Sequence, residues 1–85
     1  MTNKVYLAKE AVNDLKKLTN EESALILSWL KKNIENSYNP RAYGKTINKL
    51  NLNQWIYYVG IYHLLSYIEN EKIIILKITS HKETY

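Results

Sequence analysis

Between Trp55 and Thr79 the chain carries three runs rich in β-branched and aromatic residues: Trp55 to Val59, Tyr62 to Glu69 and Lys72 to Thr79. Gly60 separates the first two, and Glu69-Asn70-Glu71 separates the second from the third. Connections this tight join consecutive strands as hairpins, so the last third predicts a three-stranded antiparallel meander. Alternation then assigns faces. His63, Leu65 and Tyr67 share one side of their strand, with Tyr62, Leu64, Ser66 and Ile68 on the other. In the last run the same rule groups Ile74, Leu76 and Ile78 against Ile73, Ile75 and Lys77. Apolar residues on both faces predict an interior strand, or one covered by a partner.

The first half has a different rhythm. Asn3 to Leu7 (NKVYL) alternates as a short strand, and from Ala8 the period becomes helical. Ala8, Ala11/Val12, Leu15 and Leu18 form one stripe, while Lys9, Glu10, Asn13, Lys16 and Lys17 face water. Thr19-Asn20-Glu21-Glu22 matches a capping box and opens a second helix, expected from about Asn20 to Asn36. Its stripe is Ser23, Ile26/Leu27, Leu30 and Ile34. A neighbouring apolar pair, Leu25 and Trp29, is expected to pack on the first helix or to meet another protein. Residues 36–53 contain Asn39-Pro40, Gly44 and several Asn, and read as a long loop.

The order β-α-α-β-β-β places the chain in the α+β class, with two N-terminal helices packed on a small antiparallel sheet. No repeat, linker or low-complexity tract divides it, so residues 1–85 are read as a single domain. A chain of 85 residues has a thin core. Eight Tyr and two Trp, with no Phe, supply packing area that keeps a polar handle.

Several function classes are excluded. Zero cysteines remove a disulfide scaffold, a thiol nucleophile and thiolate-bound zinc. The two histidines have no carboxylate at metal-ligand spacing, so neither a metal nor a cofactor is expected. Gly44 and Gly60 are isolated, which leaves no dinucleotide or phosphate-binding loop, and no GxSxG elbow is present. No apolar run approaches the roughly 18–20 residues of a membrane span. The opening MTNKVYLAKE offers no apolar signal core, so a cytoplasmic protein is expected.

Charge narrows the partner. The formal net charge is +4. Residues 1–37 hold six basic and five acidic groups, whereas residues 38–85 hold six basic and three acidic. Between Glu35 and Glu69 there is no carboxylate, while Arg41, Lys45, Lys49 and His63 fall there. Such a stretch favours phosphate. Tyr57, Tyr58, Tyr62 and His63, then His81, Lys82 and Tyr85, form a set of bases and phenols. RNA supplies its own nucleophile, the 2′-hydroxyl, so a ribonuclease needs only proton exchange, phosphate contacts and stacking rings. The residue types are present, but spacing alone does not make them converge. On the residues alone this is a small basic α+β domain with the side chains for nucleic-acid binding.

Trp55-Ile56-Tyr57-Tyr58-Val59-Gly60-Ile61-Tyr62-His63-Leu64-Leu65 resembles the W-R-Y-R-V-G-D-Y-R signature of RelE-type toxins, followed by two hydrophobic residues. His81-Lys82-Glu83-Thr84-Tyr85 is similar to the H-R-x-x-Y ending of that family. Asn39-Pro40-Arg41 with Gly44-Lys45 resembles its D-P-R…G-K loop, and KVYLAKEAVNDLKKL resembles its opening strand and helix. The resemblance implies the toxin of a bacterial type II toxin–antitoxin pair: a metal-independent mRNA interferase that cleaves mRNA on the ribosome and is silenced by a cognate antitoxin. It assigns catalytic roles to His63, His81, Lys82 and Tyr85. It assigns RNA binding to Arg41, Lys45, Lys49 and Tyr58.

The chain also departs from the pattern. Ile56 and Tyr58 replace basic residues, Ile61 replaces an acid, and Asn48 occupies a usually basic position. His63 replaces a permanent forked cation with an imidazole. Three accounts follow: a ribonuclease using His63 and His81 as an acid–base pair, a weakened relative, or a gyrase inhibitor of the ParE kind.

Overall fold

The computed structural model describes residues 3–80. Strand β1 (Lys4–Leu7) leads directly into helix α1 (Lys9–Lys16), and helix α2 (Asn20–Asn33) follows. A single 3-10 turn at Pro40–Ala42 precedes the two-residue strand β2 (Lys45–Thr46). The meander is β3 (Gln54–Val59), β4 (Tyr62–Glu69) and β5 (Lys72–Ser80). The strands form one sheet in the order β1-β5-β4-β3-β2. Two additions go beyond the sequence reading. β1 joins β5 in parallel, making the sheet mixed, and β2 rises out of the expected loop to pair with β3.

The helices end where their residues dictate. At the start of α2 the Thr19 hydroxyl accepts from the Glu22 N–H (3.1 Å), and the Glu22 carboxylate accepts from the Thr19 N–H (2.9 Å). This reciprocal box satisfies two otherwise orphaned donors. After α2, Asn36 takes a left-handed φ of 62° and turns the chain back, its N–H donating to the Asn3 carbonyl.

Both helices lie on one side of the sheet. Ala11, Leu15, Ile26, Leu30 and Ile34 meet Tyr57, Val59, Leu64, Ile68, Ile73, Ile75 and Ile78 in the core. β5 is interior, as its apolarity requires, because β1 covers its outer edge from Lys72 to Ile75. Beyond β1, helix α1 takes over that edge. The Asp14 carboxylate accepts from the Ile78 N–H at 2.9 Å, and Lys77 Nζ lies 2.6 Å from the Glu10 carboxylate. An edge capped this way does not template another strand.

The faces of β5 differ from simple alternation. Ser66 pairs with Ile75 and Leu65 with Lys77, leaving Leu76 as the extra residue of a β-bulge. The extra residue shifts the period, so Ile73, Ile75 and Ile78 all enter the core. Without it, Lys77 and Thr79 would point inward. The Leu25–Trp29 pair divides. Leu25 is exposed, and Trp29 packs against the core with its ring on Tyr43 (5.7 Å, edge-on) and Tyr57 (5.8 Å).

Candidate functional site

Both helices cover the same side, and among the described residues no element covers the other side of the sheet. The hairpin turn at Gly60-Ile61 sets the register there: Val59 faces Tyr62, so Tyr58 faces His63. Their rings stand 5.0 Å apart, edge to face. Lys45 arrives from β2, where it pairs with Ile56, and its Nζ lies 5.5 Å from the Tyr58 ring centre. A cation over a phenol face is held by the ring quadrupole, worth about 0.5–1 kcal/mol when exposed. Lys45, Tyr58 and His63 thus form one row across three adjacent strands.

Gly44 makes that row possible. Its φ is +70°, and a Cβ there would sit 2.1 Å from the Ile56 carbonyl oxygen. Only glycine allows the loop backbone to come this close to β3. Lys45 is placed by the next residue of the same close approach.

The other residues assigned by the resemblance divide. Arg41 is exposed, but its guanidinium donates to the Leu52 carbonyl (3.2 Å) and lies 5.7 Å over the Trp55 ring. Trp55 alternates with Ile56 and packs against the core, so Arg41 lies on the helix side of β3, away from the row. Here it braces the loop. Lys49 is exposed on the turn between β2 and β3, where the Asn48 side chain accepts from the Leu50 N–H. His81, Lys82 and Tyr85 lie outside the described residues. Thr79, the register partner of His63 on β5, stands just before them in the chain.

Two phenols of the sequence-derived set are structural. Tyr57 is fully buried and donates to the Pro40 carbonyl (2.8 Å), anchoring the 3-10 turn. Burial raises its pKa well above the ordinary phenol value, with the Arg41 charge acting the other way. The Tyr62 hydroxyl donates to the Glu22 carboxylate at 2.5 Å and ties α2 to β4. That bond, followed by the one from the Thr19 backbone, lowers the Glu22 pKa.

The apolar surroundings of the row escaped sequence reasoning. Ile47 (50% exposed), Leu65 (36%) and Leu76 (38%) stand on the same open face, beside Tyr58 at 41%. For Leu65 the signal was present in the alternation of β4. For Leu76 it was present too, since alternation sets Leu76 opposite Ile73 and Ile75.

The fold agrees with comparisons to known proteins. Residues 5–85 match the family model described as the ParE toxin of the type II toxin–antitoxin system parDE. The chain belongs to that family, within the RelE/ParE superfamily of toxins. It is similar to a chain of the RelBE2 toxin–antitoxin complex of Mycobacterium tuberculosis, with a TM-score of 0.80 and 21% identity over 94% of this chain and 92% of that one. The archaeal RelE–RelB complex of Pyrococcus horikoshii OT3 gives 0.74 and 20%, over 99% and 100%. A conserved hypothetical protein of Helicobacter pylori, HP0894, gives 0.69 and 16% over the whole of both chains. Among curated proteins none matches the sequence.

Proposed function

We propose that this toxin is a metal-independent endoribonuclease that cleaves mRNA on the ribosome and so arrests translation. The observation that carries the reading is the row of Lys45, Tyr58 and His63 on the open face. It joins a phosphate-binding cation, a ring able to stack on a base, and an imidazole able to move a proton.

In the proposed reaction the 2′-oxygen attacks phosphorus and the bond from phosphorus to the 5′-oxygen breaks. One proton leaves the 2′-hydroxyl and one arrives on the 5′-oxygen. A 2′,3′-cyclic phosphate and a 5′-hydroxyl result. His63 takes the first proton and Lys45 steadies the phosphate charge. His81, Lys82 and Tyr85, assigned by resemblance, supply the second proton and further phosphate and base contacts. The solved relatives from M. tuberculosis and P. horikoshii are toxin–antitoxin complexes, which supports a cognate antitoxin for this chain too. Its net charge of +4 suits an acidic one. The site of action is then the cytoplasm, with ribosome and mRNA as targets.

One observation favours a second reading, inhibition of DNA gyrase through protein contacts. The row holds a single lysine and is bordered by exposed Ile47, Leu65 and Leu76. In-vitro translation with purified toxin, with mRNA ends mapped and gyrase assayed in parallel, separates the two. The nuclease reading expects cuts inside ribosome-occupied codons and normal supercoiling. Intact mRNA with stalled gyrase–DNA complexes would replace it with the second.

A further inference from the structure

Next to the Lys45–Tyr58–His63 row lies a hollow of about 170 Å³, lined by Ile47, Gln54, Leu65, Ser66 and Leu76. Leu65 follows His63 by two residues on the same face, a distance of roughly 7 Å along a strand. Gln54 stands opposite Tyr67, four register pairs beyond Tyr58 and His63 and on the same face.

The bulge in β5 gives the hollow its shape. With Ser66 paired to Ile75 and Leu65 to Lys77, Leu76 is left over beside Leu65 at the hollow, and the residues after it exchange faces. Bulges concentrate beside functional sites because they redirect a side chain in this way.

The chemistry of the lining is selective. Three aliphatic residues share the lining with one primary amide, Gln54, and with Ser66, whose hydroxyl is already engaged by the Leu64 carbonyl. The Gln54 backbone is fully engaged: its N–H donates to the Asn51 carbonyl, and its carbonyl accepts from the Thr46 hydroxyl and the Ile47 N–H. Its side-chain amide makes no hydrogen bond among the described residues. An amide offering a donor beside an acceptor, framed by apolar walls, fits a flat heterocycle with the reverse pattern on its edge. Adenine has that pattern, and glutamine is its bidentate partner. Guanine presents two acceptors on the corresponding edge and matches less well.

We infer that this hollow is a nucleobase subsite, in which Gln54 reads an adenine of the nucleotide flanking the scissile phosphate while Ile47, Leu65 and Leu76 clasp its faces. The inference rests on the ribonuclease reading and adds specificity to it.

The test is a heteronuclear NMR titration of the full 85-residue chain. The probes are a tri-adenylate blocked from cleavage by 2′-O-methylation, and an abasic trinucleotide with the same phosphates. The tri-adenylate is expected to shift the Gln54 side-chain amide and the methyls of Ile47, Leu65 and Leu76, together with Lys45 and His63. The abasic probe is expected to shift Lys45 and His63 alone. Gln54→Leu, checked for an unchanged fold by its amide spectrum, is expected to weaken tri-adenylate binding about tenfold and leave the abasic probe unaffected. Equal binding of tri-adenylate by the variant would overturn the subsite. So would a hollow that stays silent while Lys45 and His63 respond, and the ribonuclease reading would then survive. Silence of both regions toward both probes would remove the two together.

Discussion

On the helix-covered side of β3 and β4, hydroxyls find partners within the protein. Tyr57 donates to Pro40, Tyr62 to Glu22 and Ser66 to the Leu64 carbonyl. On the open side, Tyr58 of β3 meets His63 of β4 and the Lys45 cation, and Ile47, Leu65 and Leu76 around them remain a third to a half exposed. Residue types on the two sides are alike, tyrosine next to branched aliphatics. What separates them is coverage. A phenol under a helix must satisfy its hydroxyl internally and becomes a strut, whereas one on the uncovered face keeps it available to a ligand. A count of tyrosines therefore says little about function until each has been given a face.

Substitutions can break or sharpen this contrast. The largest stability loss is expected in the covered layer: Ile75→Ala should cost about 2–5 kcal/mol. In a domain this size that lowers Tm by more than about 10 °C, read by calorimetry or circular dichroism. The Tyr57→Phe and Tyr58→Phe pair is the sharpest comparison. Tyr57→Phe leaves the Pro40 carbonyl without its buried donor, and about 1–3 kcal/mol is expected in urea denaturation. Tyr58→Phe should stay within about 0.5 kcal/mol. Equal losses for both would erase the difference between the faces.

The smallest effect concerns acid. The Glu22 pKa is lowered from 4.5 in the folded state, so its contribution is complete above about pH 4.5 and is lost as pH falls through the lower folded value. Urea midpoints measured from pH 6 down to pH 3 should therefore converge for wild type and Glu22→Gln at the acid end. A gap that widens toward acid would contradict the Tyr62–Glu22 tie.

Much of the architecture was legible in the chain. The capping box at Thr19, the helical stripes and the meander follow from local pattern, and the two-residue turn at Gly60-Ile61 fixes Tyr58 opposite His63. The illegible parts depend on distant contacts. Nothing local in Lys4 to Leu7 says that this strand lies parallel to β5, and nothing in the 36–53 loop says that Lys45 and Thr46 will pair with β3. The bulge at Leu76 reverses face assignments for the rest of β5, because one unpaired residue is invisible to a period of two. Arg41 shows the same limit for charge. Its type suits phosphate, but its position over Trp55 and its bond to Leu52 come from how the loop folds. Gly44 carried a usable signal, since an isolated glycine beside a strand often marks a close backbone approach.

That the uncovered face carries the activity is tested most directly by the single variant His63→Ala, measured for both Tm and the rate of mRNA cutting in a purified translation system. A Tm within a few degrees of wild type, with cutting slowed by roughly 10²-fold or more, is the expected result. A variant that cuts at the wild-type rate would contradict it.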